Sequence, residues 1–231
     1  MLSYRQTRWV DNSTGMPEPS LKPFDTLPWK ERWFVRARLA SAPLAAMAER
    51  ARGTAMLDVG CGHGALVALL AEGHPDRHVV GIDPDVRKIG WAQASVGRNP
   101  RVDLRACTIE TLAVEQSGAF DTVFVADVLY LLAPSAWTEF LAAARRLLRP
   151  GGVLVLKEAE DDGSWRARKA LWQERLMVLL LRRTHSSGAI GFVPRATLAN
   201  AITAAGFVID ETASYARGYS TPHILFTAHL P

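Results

Sequence analysis

Cysteine is nearly absent from this 231-residue chain: Cys61 and Cys107 are the only two, and they form no CxxC pair. That excludes a disulfide framework and leaves no zinc-ligand spacing, so no metal site is expected. It fits a reduced, cytoplasmic setting with both thiols as small buried fillers. Long apolar runs are also missing. The longest in a helical context, Leu176–Leu181, is far shorter than a membrane span. Arg5 and Arg8 are followed by no apolar h-region, so no signal peptide is expected. There are no internal repeats and no low-complexity segment. Charge of one sign is not gathered into runs: 27 Lys and Arg against 23 Asp and Glu leave a net +4. With a pI near 9.3 this reads as a solvated basic surface, and no RNA-binding motif accompanies it. What the chain does have is apolar side chain, 48% of residues, which is enough for a sizeable core and argues against disorder. Its length suits one large α/β domain or two small ones.

The most informative stretch is 54–64, TAMLDVGCGHG. The apolar run Ala55–Val59 ends at Gly60, and Gly62 and Gly64 follow. A short apolar run closed by glycine reads as a buried strand entering a tight turn. The good helix formers from Ala65 to Glu72 carry the turn into a helix. Strand, glycine turn, helix is the arrangement that brings bare main-chain N–H groups and a helix N-terminus up to a ligand. On this reading a side chain at Gly60 or Gly62 blocks the approach.

The spacing Asp58-Val-Gly60-Cys-Gly62-His-Gly64 resembles the first motif of class I S-adenosylmethionine (SAM) dependent methyltransferases. It departs from the GxGxxG dinucleotide fingerprint. His78–Ile82 reads as a second strand, ended by Asp83-Pro84, and Asp83 lies 83 − 62 = 21 residues after Gly62. An acidic residue near that distance accepts hydrogen bonds from two ribose hydroxyls in nucleotide-binding units. The competing role for Asp83 is the N-cap of the helical stretch Asp85–Val96. Val102–Ala106 is a third strand, followed by Cys107-Thr108-Ile109-Glu110. In the resembling family an Asp commonly stands at the Thr108 position and faces adenine. Here Thr108 brings a hydroxyl and no charge, and the N–H near Ile109 remains for an adenine nitrogen. Phe120–Ala126 is the fourth strand, and Asp127-Val-Leu-Tyr130-Leu131-Leu132 resembles the family loop that closes over the methionine part of SAM. A common form has His in place of Leu131, so any base there is missing. A helix from Pro134 to Leu148, the turn Arg149-Pro-Gly-Gly152 and a fifth strand Val153–Leu156 are a further resemblance, which in all covers roughly 54–160.

Residues 1–28 read as an irregular, Pro-rich arm. Trp29 to Arg52 reads as two short helices, with Arg32, Arg36 and Arg38 outward and the pair Trp29 and Trp33 packed on the domain; a lid over the cofactor site is the other reading. A helix from Trp165 to about Arg183 is apolar on one side and basic on the other, a substrate-side cap or a surface for a membrane or an acidic carrier. Pro194–Gly206 is a further helix. Phe207–Ala213 and His223–Ala228 are the last strands, joined by a loop short enough to make them antiparallel.

The expected fold is α/β: a doubly wound, seven-stranded, mainly parallel sheet with the last strand antiparallel, plus helical cap elements. The expected organisation is one domain over 1–231, with an N-terminal arm and helices (1–52) and a cap insert (161–193). Ligands of such sheets lie beyond the carboxyl ends of the parallel strands. The cofactor-binding candidates are therefore Asp58, Gly60, Gly62, Asp83, Pro84, Thr108, Ile109 and Asp127. Methyl transfer from a sulfonium needs alignment first and a base second. The catalytic candidates are His223, Glu158 and Tyr130, with His185 behind them. Tyr215, Arg217 and Tyr219 share the edge with His223. The resemblance implies S-adenosyl-L-methionine as cofactor and a small-molecule acceptor, such as a natural product, and the apolar insert Trp165–Leu181 points to a lipid-like one. An acyl group on an acidic carrier protein, a non-catalytic SAM-binding partner of another subunit, and an NAD-dependent oxidoreductase are the other readings.

Overall fold

The computed structural model describes residues 8–9, 20–160, 193–216, 219 and 221–231. The expected cap 161–193, apart from Val193, lies outside them, with His185, and so does the loop residue Arg217. Eight strands form one sheet: β1 (Arg8–Trp9), β2 (Ala55–Val59), β3 (His78–Ile82), β4 (Val102–Arg105), β5 (Phe120–Ala126), β6 (Leu148–Ala159), β7 (Val208–Tyr215) and β8 (His223–His229). Their spatial order is β1-β7-β8-β6-β5-β2-β3-β4. β2 to β6 run parallel to one another, and β8 lies antiparallel between β6 and β7. The seven expected strands are all present with the last one reversed. The two-residue β1, parallel to β7, adds an edge that the reading of 1–28 as irregular missed.

The helices are α1 (Trp29–Ser41), α2 (Leu44–Glu49), α3 (Ala65–Gly73), α4 (Val86–Ala94), α5 (Ile109–Glu115), α6 (Trp137–Leu147) and α7 (Arg195–Ala204). The sheet separates two apolar layers. Along β6, Val153 and Val155 face the layer containing Met47, Val67 and Leu70, and Leu154 and Leu156 face the one containing Leu112, Leu141 and Ile202. Both sides are covered, which is why the parallel strands read as continuous apolar runs rather than alternating ones. β6 begins five residues earlier than expected, because Arg149-Pro-Gly-Gly152 is absorbed into the strand, with Gly151 at φ 72°. Pro134 opens a single 3₁₀ turn, and the helix proper starts at Trp137.

Two expectations about α1 are corrected. Val35 is buried, and Glu31, Phe34 and Arg38 share its side of the helix in making contact with the domain. That stripe turns Trp29 and Trp33 out to solvent, 73% and 65% exposed, instead of packing them. It also turns Arg38 inward. Among the described residues no helix is long and apolar enough to cross a membrane, and no cluster of His, Cys, Asp and Glu could hold a metal ion.

Candidate active site

The carboxyl ends of β2, β3, β5 and β6 meet at one edge, and the glycine turn sits there because the tip of β3 holds it. The N–H groups of Gly60 and Cys61 both donate to the carbonyl of Ile82, at 2.8 and 2.9 Å. Gly60, Gly62 and Gly64 have φ of 73°, 55° and 83°, the left-handed region that other residues enter only with strain. Their surroundings differ. A Cβ at Gly60 would stand 2.6 Å from Val128 Cγ2, and one at Gly64 2.6 Å from Val96 Cγ2, whereas one at Gly62 would meet nothing within 4 Å. Gly62 alone opens on free space; Gly60 is small so that the loop after β5 can pack on it.

Asp83 is buried and closes the turn from the other side. Its Oδ2 accepts the Gly62 N–H at 3.1 Å and its Oδ1 the Asp85 N–H at 2.8 Å. The N-cap of α4 is Asp85, which accepts from the Arg87 N–H at 3.0 Å, so capping does not consume Asp83. Each carboxylate oxygen carries two lone pairs, and one on each remains for a ligand hydroxyl. Pro84 beside it is exposed. Asp58, at the end of β2, is buried, and burial raises its pKa to about 8, with Arg38 opposing and Asp83 adding. Thr108 caps α5 by accepting the Thr111 N–H at 3.3 Å, and Ile109 is buried in the core.

Asp127 holds the centre of the edge. It is the one non-glycine residue at positive φ (57°) among the described residues. Both of its carboxylate oxygens lie 2.6 Å from the ammonium of Lys157, which is fully buried on β6. The guanidinium of Arg38 pairs with Asp127 from α1, and its other arm donates to the Ala126 carbonyl at 3.3 Å. Burial pushes the Asp127 pKa up, but the charges of Arg38 and Lys157 outweigh it and hold the carboxyl well below its ordinary value. Burial pulls Lys157 down against the pull of Asp127. Neither cation was among the sequence candidates. A signal for Lys157 existed: it falls on the same face of the strand as Val153 and Val155, a charge in line with two buried valines.

The three catalytic candidates fall in different situations. Glu158 is fully buried; its Oε1 accepts the N–H groups of Val128 and Leu129 at 3.0 and 2.8 Å, and its Oε2 has no partner. Burial and the Asp127 charge raise its pKa to about 8. His223 is buried at the start of β8, with Nε2 at 2.7 Å from the Ser41 carbonyl at the end of α1. A carbonyl only accepts, so Nε2 carries the hydrogen and Nδ1 keeps its lone pair, unpartnered. Burial, then Lys157, drives its pKa down to about 3. Tyr130 lies half-buried in the 3₁₀ turn Leu129–Leu131, within electrostatic reach of Arg38. The ring of Tyr219 stands edge-on to His223, centroids 5.5 Å apart.

Helix α1 also reaches the glycine turn. Glu31 Oε2 lies 2.8 Å from His63 Nε2, and the Phe34 ring lies 5.0 Å from the His63 ring. Burial lowers the His63 pKa, with Glu31 opposing, and its Nδ1 is a second unpartnered buried nitrogen.

A family model described as "Methyltransferase domain" matches residues 56–152. A ubiquinone biosynthesis O-methyltransferase of Xanthomonas oryzae pv. oryzae (strain PXO99A) is 32% identical over 133 residues, 58% of this chain and 54% of that protein. Over that stretch the chain is similar to methyltransferases. It spans about half the length of such relatives. Among solved structures, the Burkholderia thailandensis 1,6-didemethyltoxoflavin-N1-methyltransferase with bound 1,6-didemethyltoxoflavin and S-adenosylhomocysteine superposes with a TM-score of 0.63. It is 19% identical and the match covers 98% of this chain and 99% of that one, a likeness of fold alone. The [4+2]-cyclase SpnF shares the fold at a TM-score of 0.62 and 18% identity, covering 84% of this chain and 81% of that one. The glycine turn, Asp83 and Asp127 all lie inside the matched stretch, and Arg38 and His223 lie outside it.

Proposed function

We propose that this chain is a SAM-dependent methyltransferase for a small-molecule acceptor, working as one domain over residues 1–231 with 161–193 as a cap over the acceptor. The observation that carries this reading is the pairing of Gly62 with Asp83: an uncrowded main-chain bend whose N–H is bound to a carboxylate with lone pairs to spare. The bend admits a ligand close to bare backbone, and the carboxylate fits a ribose diol. Thr108 and Ile109 flank the adenine end, with Pro84 along its rim. At the other end Arg38 and Lys157 bring two positive charges to the one negative charge of Asp127, and Asp58 is close by. That set suits an amino-acid zwitterion: the surplus cation takes a carboxylate, and the acidic groups take an ammonium.

S-adenosylmethionine supplies an electrophilic methyl group on a positively charged sulfur. With it bound, a hydroxyl acceptor would take the methyl carbon from its sulfur and give up a proton, which a group of this chain has to receive. Alignment is the main contribution of the protein, because a well-oriented pair gains several powers of ten in rate over free encounter. His223 Nδ1 is the group we assign to receive the proton. Its low pKa suffices for a hydroxyl oxygen made electron-poor by the incoming methyl. Tyr130 borders the acceptor, and Glu158 positions the loop at 128–131 through its two main-chain contacts rather than handling the proton.

The resemblance to ubiquinone biosynthesis O-methyltransferases supports lipid-like small molecules with a free hydroxyl as the first acceptors to try. An acyl group on an acidic carrier protein is the next class. The fold shared with a cyclase keeps a SAM-binding protein that transfers no methyl group as the competing reading. Calorimetry with SAM, S-adenosylhomocysteine and NAD decides the cofactor: heat with the first two and none with NAD is expected, and no heat with either overturns the reading. Radiolabelled methyl transfer to substituted phenols then separates enzyme from binder.

A further inference from the structure

Helix α1 has two unlike sides. At 100° per residue, Glu31, Phe34, Val35 and Arg38 point one way and Trp29, Trp33, Arg36 and Ala40 the other. The first group is engaged with the domain at His63 and Asp127. The second is in water. Of the six large hydrophobic residues exposed among the described residues, three, Trp29, Trp33 and Phe34, are on this one helix. Lys30 holds its ammonium 5.6 Å above the Trp29 ring, and neither Lys30 nor Arg36 has an ion pair among the described residues. Arg32 is the basic residue here that does have a partner, Asp25, at 3.0 Å.

We propose that the outer side of α1 docks on an anionic lipid bilayer surface. Two indoles and two bare cations on a convex helix need a partner that is apolar and negatively charged over one continuous area. The headgroup layer of an anionic membrane is both, and tryptophan with lysine or arginine is the pairing that rests at that depth. Among the described residues the Trp29 indole is left almost three-quarters exposed, as a ring that sinks into a headgroup layer has to be. Because the inner side of the same helix is pinned to the glycine turn and to Asp127, docking would bring the ligand edge to the bilayer. This goes beyond the methyltransferase reading and does not depend on it.

The test uses the full chain with vesicles of phosphatidylglycerol and phosphatidylcholine in equal parts, against phosphatidylcholine alone. Co-sedimentation roughly tenfold greater with the anionic vesicles, reversed by high salt, is expected. Trp29→Ser with Trp33→Ser, and separately Lys30→Glu with Arg36→Glu, each lower it about fivefold or more, with the heat of cofactor binding unchanged. If the indole variant does not fold, the charge variant decides. Wild-type protein that ignores anionic vesicles, or variants that bind them as well as wild type, overturn the proposal. So does self-association, or binding to an acidic carrier protein, that the indole variant abolishes while vesicle binding is absent. Loss of vesicle binding with intact cofactor heat bears on this surface alone, whereas absent cofactor heat with intact vesicle binding bears only on the methyltransferase reading.

Discussion

The guanidinium of Arg38, on a helix before the first long strand, pairs with the carboxylate of Asp127 at the tip of β5, where the main chain is left-handed at φ 57°. Lys157 holds the same carboxylate from below. An aspartate needs a reason to stay in that conformation, and two cations supply it. Removing Arg38 leaves a buried Asp127–Lys157 pair; removing Asp127 leaves two buried cations with no anion. Asp127→Asn is therefore expected to cost more stability than Arg38→Gln, about 3–5 kcal/mol being typical for a buried charge stripped of its partner. Denaturant midpoints of the two variants check the order, and the reverse order would contradict this account of the triad.

Gly60 and Gly62 separate by what their missing side chains would meet. Gly60→Ala drives a methyl to within 2.6 Å of Val128 and is expected to destabilise the fold, with partial rescue by Val128→Ala. Gly62→Ala meets only open space, so its stability cost is the left-handed strain, about 1–2 kcal/mol. Its larger effect is on the ligand, with SAM affinity lower by about tenfold or more. Thermal unfolding and calorimetry on both variants give four numbers, and equal loss of affinity in the two would remove the distinction.

Asp83 carries the ribose assignment. Asp83→Asn keeps an acceptor for one N–H but loses charge and symmetry, and SAM binding is expected to weaken roughly tenfold, about 1.4 kcal/mol. Affinity within twofold of wild type would leave Asp83 as a clamp on the Gly62 turn and nothing more.

His223 and Glu158 act on stability in opposite pH ranges. The folded pKa of His223, about 3, lies below its unfolded value, so its contribution is present above pH 6.5 and is lost as the pH falls toward 3. At pH 5.5 the loss is on the order of 1 kcal/mol, roughly 2–4 °C of Tm for a chain of this size. His223→Gln should flatten the acid side of the Tm profile. The Glu158 pKa is raised to about 8, so its contribution is present below its unfolded value and is lost as the pH rises through 8. Glu158→Gln keeps the acceptor for the Val128 and Leu129 N–H groups and should be more stable than wild type at pH 9 and no less stable at pH 6. It should also keep turnover within a few-fold, whereas His223→Gln should lower kcat; the opposite pattern would exchange the two roles.

The legible part of the site was local. A glycine triplet after an apolar run, an aspartate 21 residues on and an apolar strand after a Pro-Gly-Gly turn each declare themselves within a few residues. The illegible part was relational. Arg38 reads as outward when its helix is ranked by hydrophobicity alone, because the stripe Glu31, Phe34, Arg38 is polar at both ends. It faces inward because Asp127 and His63 wait there, and no local pattern records that. The same inversion explains Trp29 and Trp33: with the inner side taken by ion pairs, the indoles are left in water.

The sequence alone determined that strands alternate with helices, where the chain bends on glycine, and which carboxylate follows that bend, because periodicity and φ are properties of neighbouring residues. Only the tertiary structure decided which charges share a site. Asp127, Arg38, Lys157 and His223 come from four separated elements; the packing of α1 on the sheet edge and the order of strands, with β8 running back between β6 and β7, bring Arg38 and Lys157 onto Asp127 and His223 within electrostatic reach of all three. Coulomb energy and burial depend on that distance, so the state of each group was settled by packing rather than by its place along the chain.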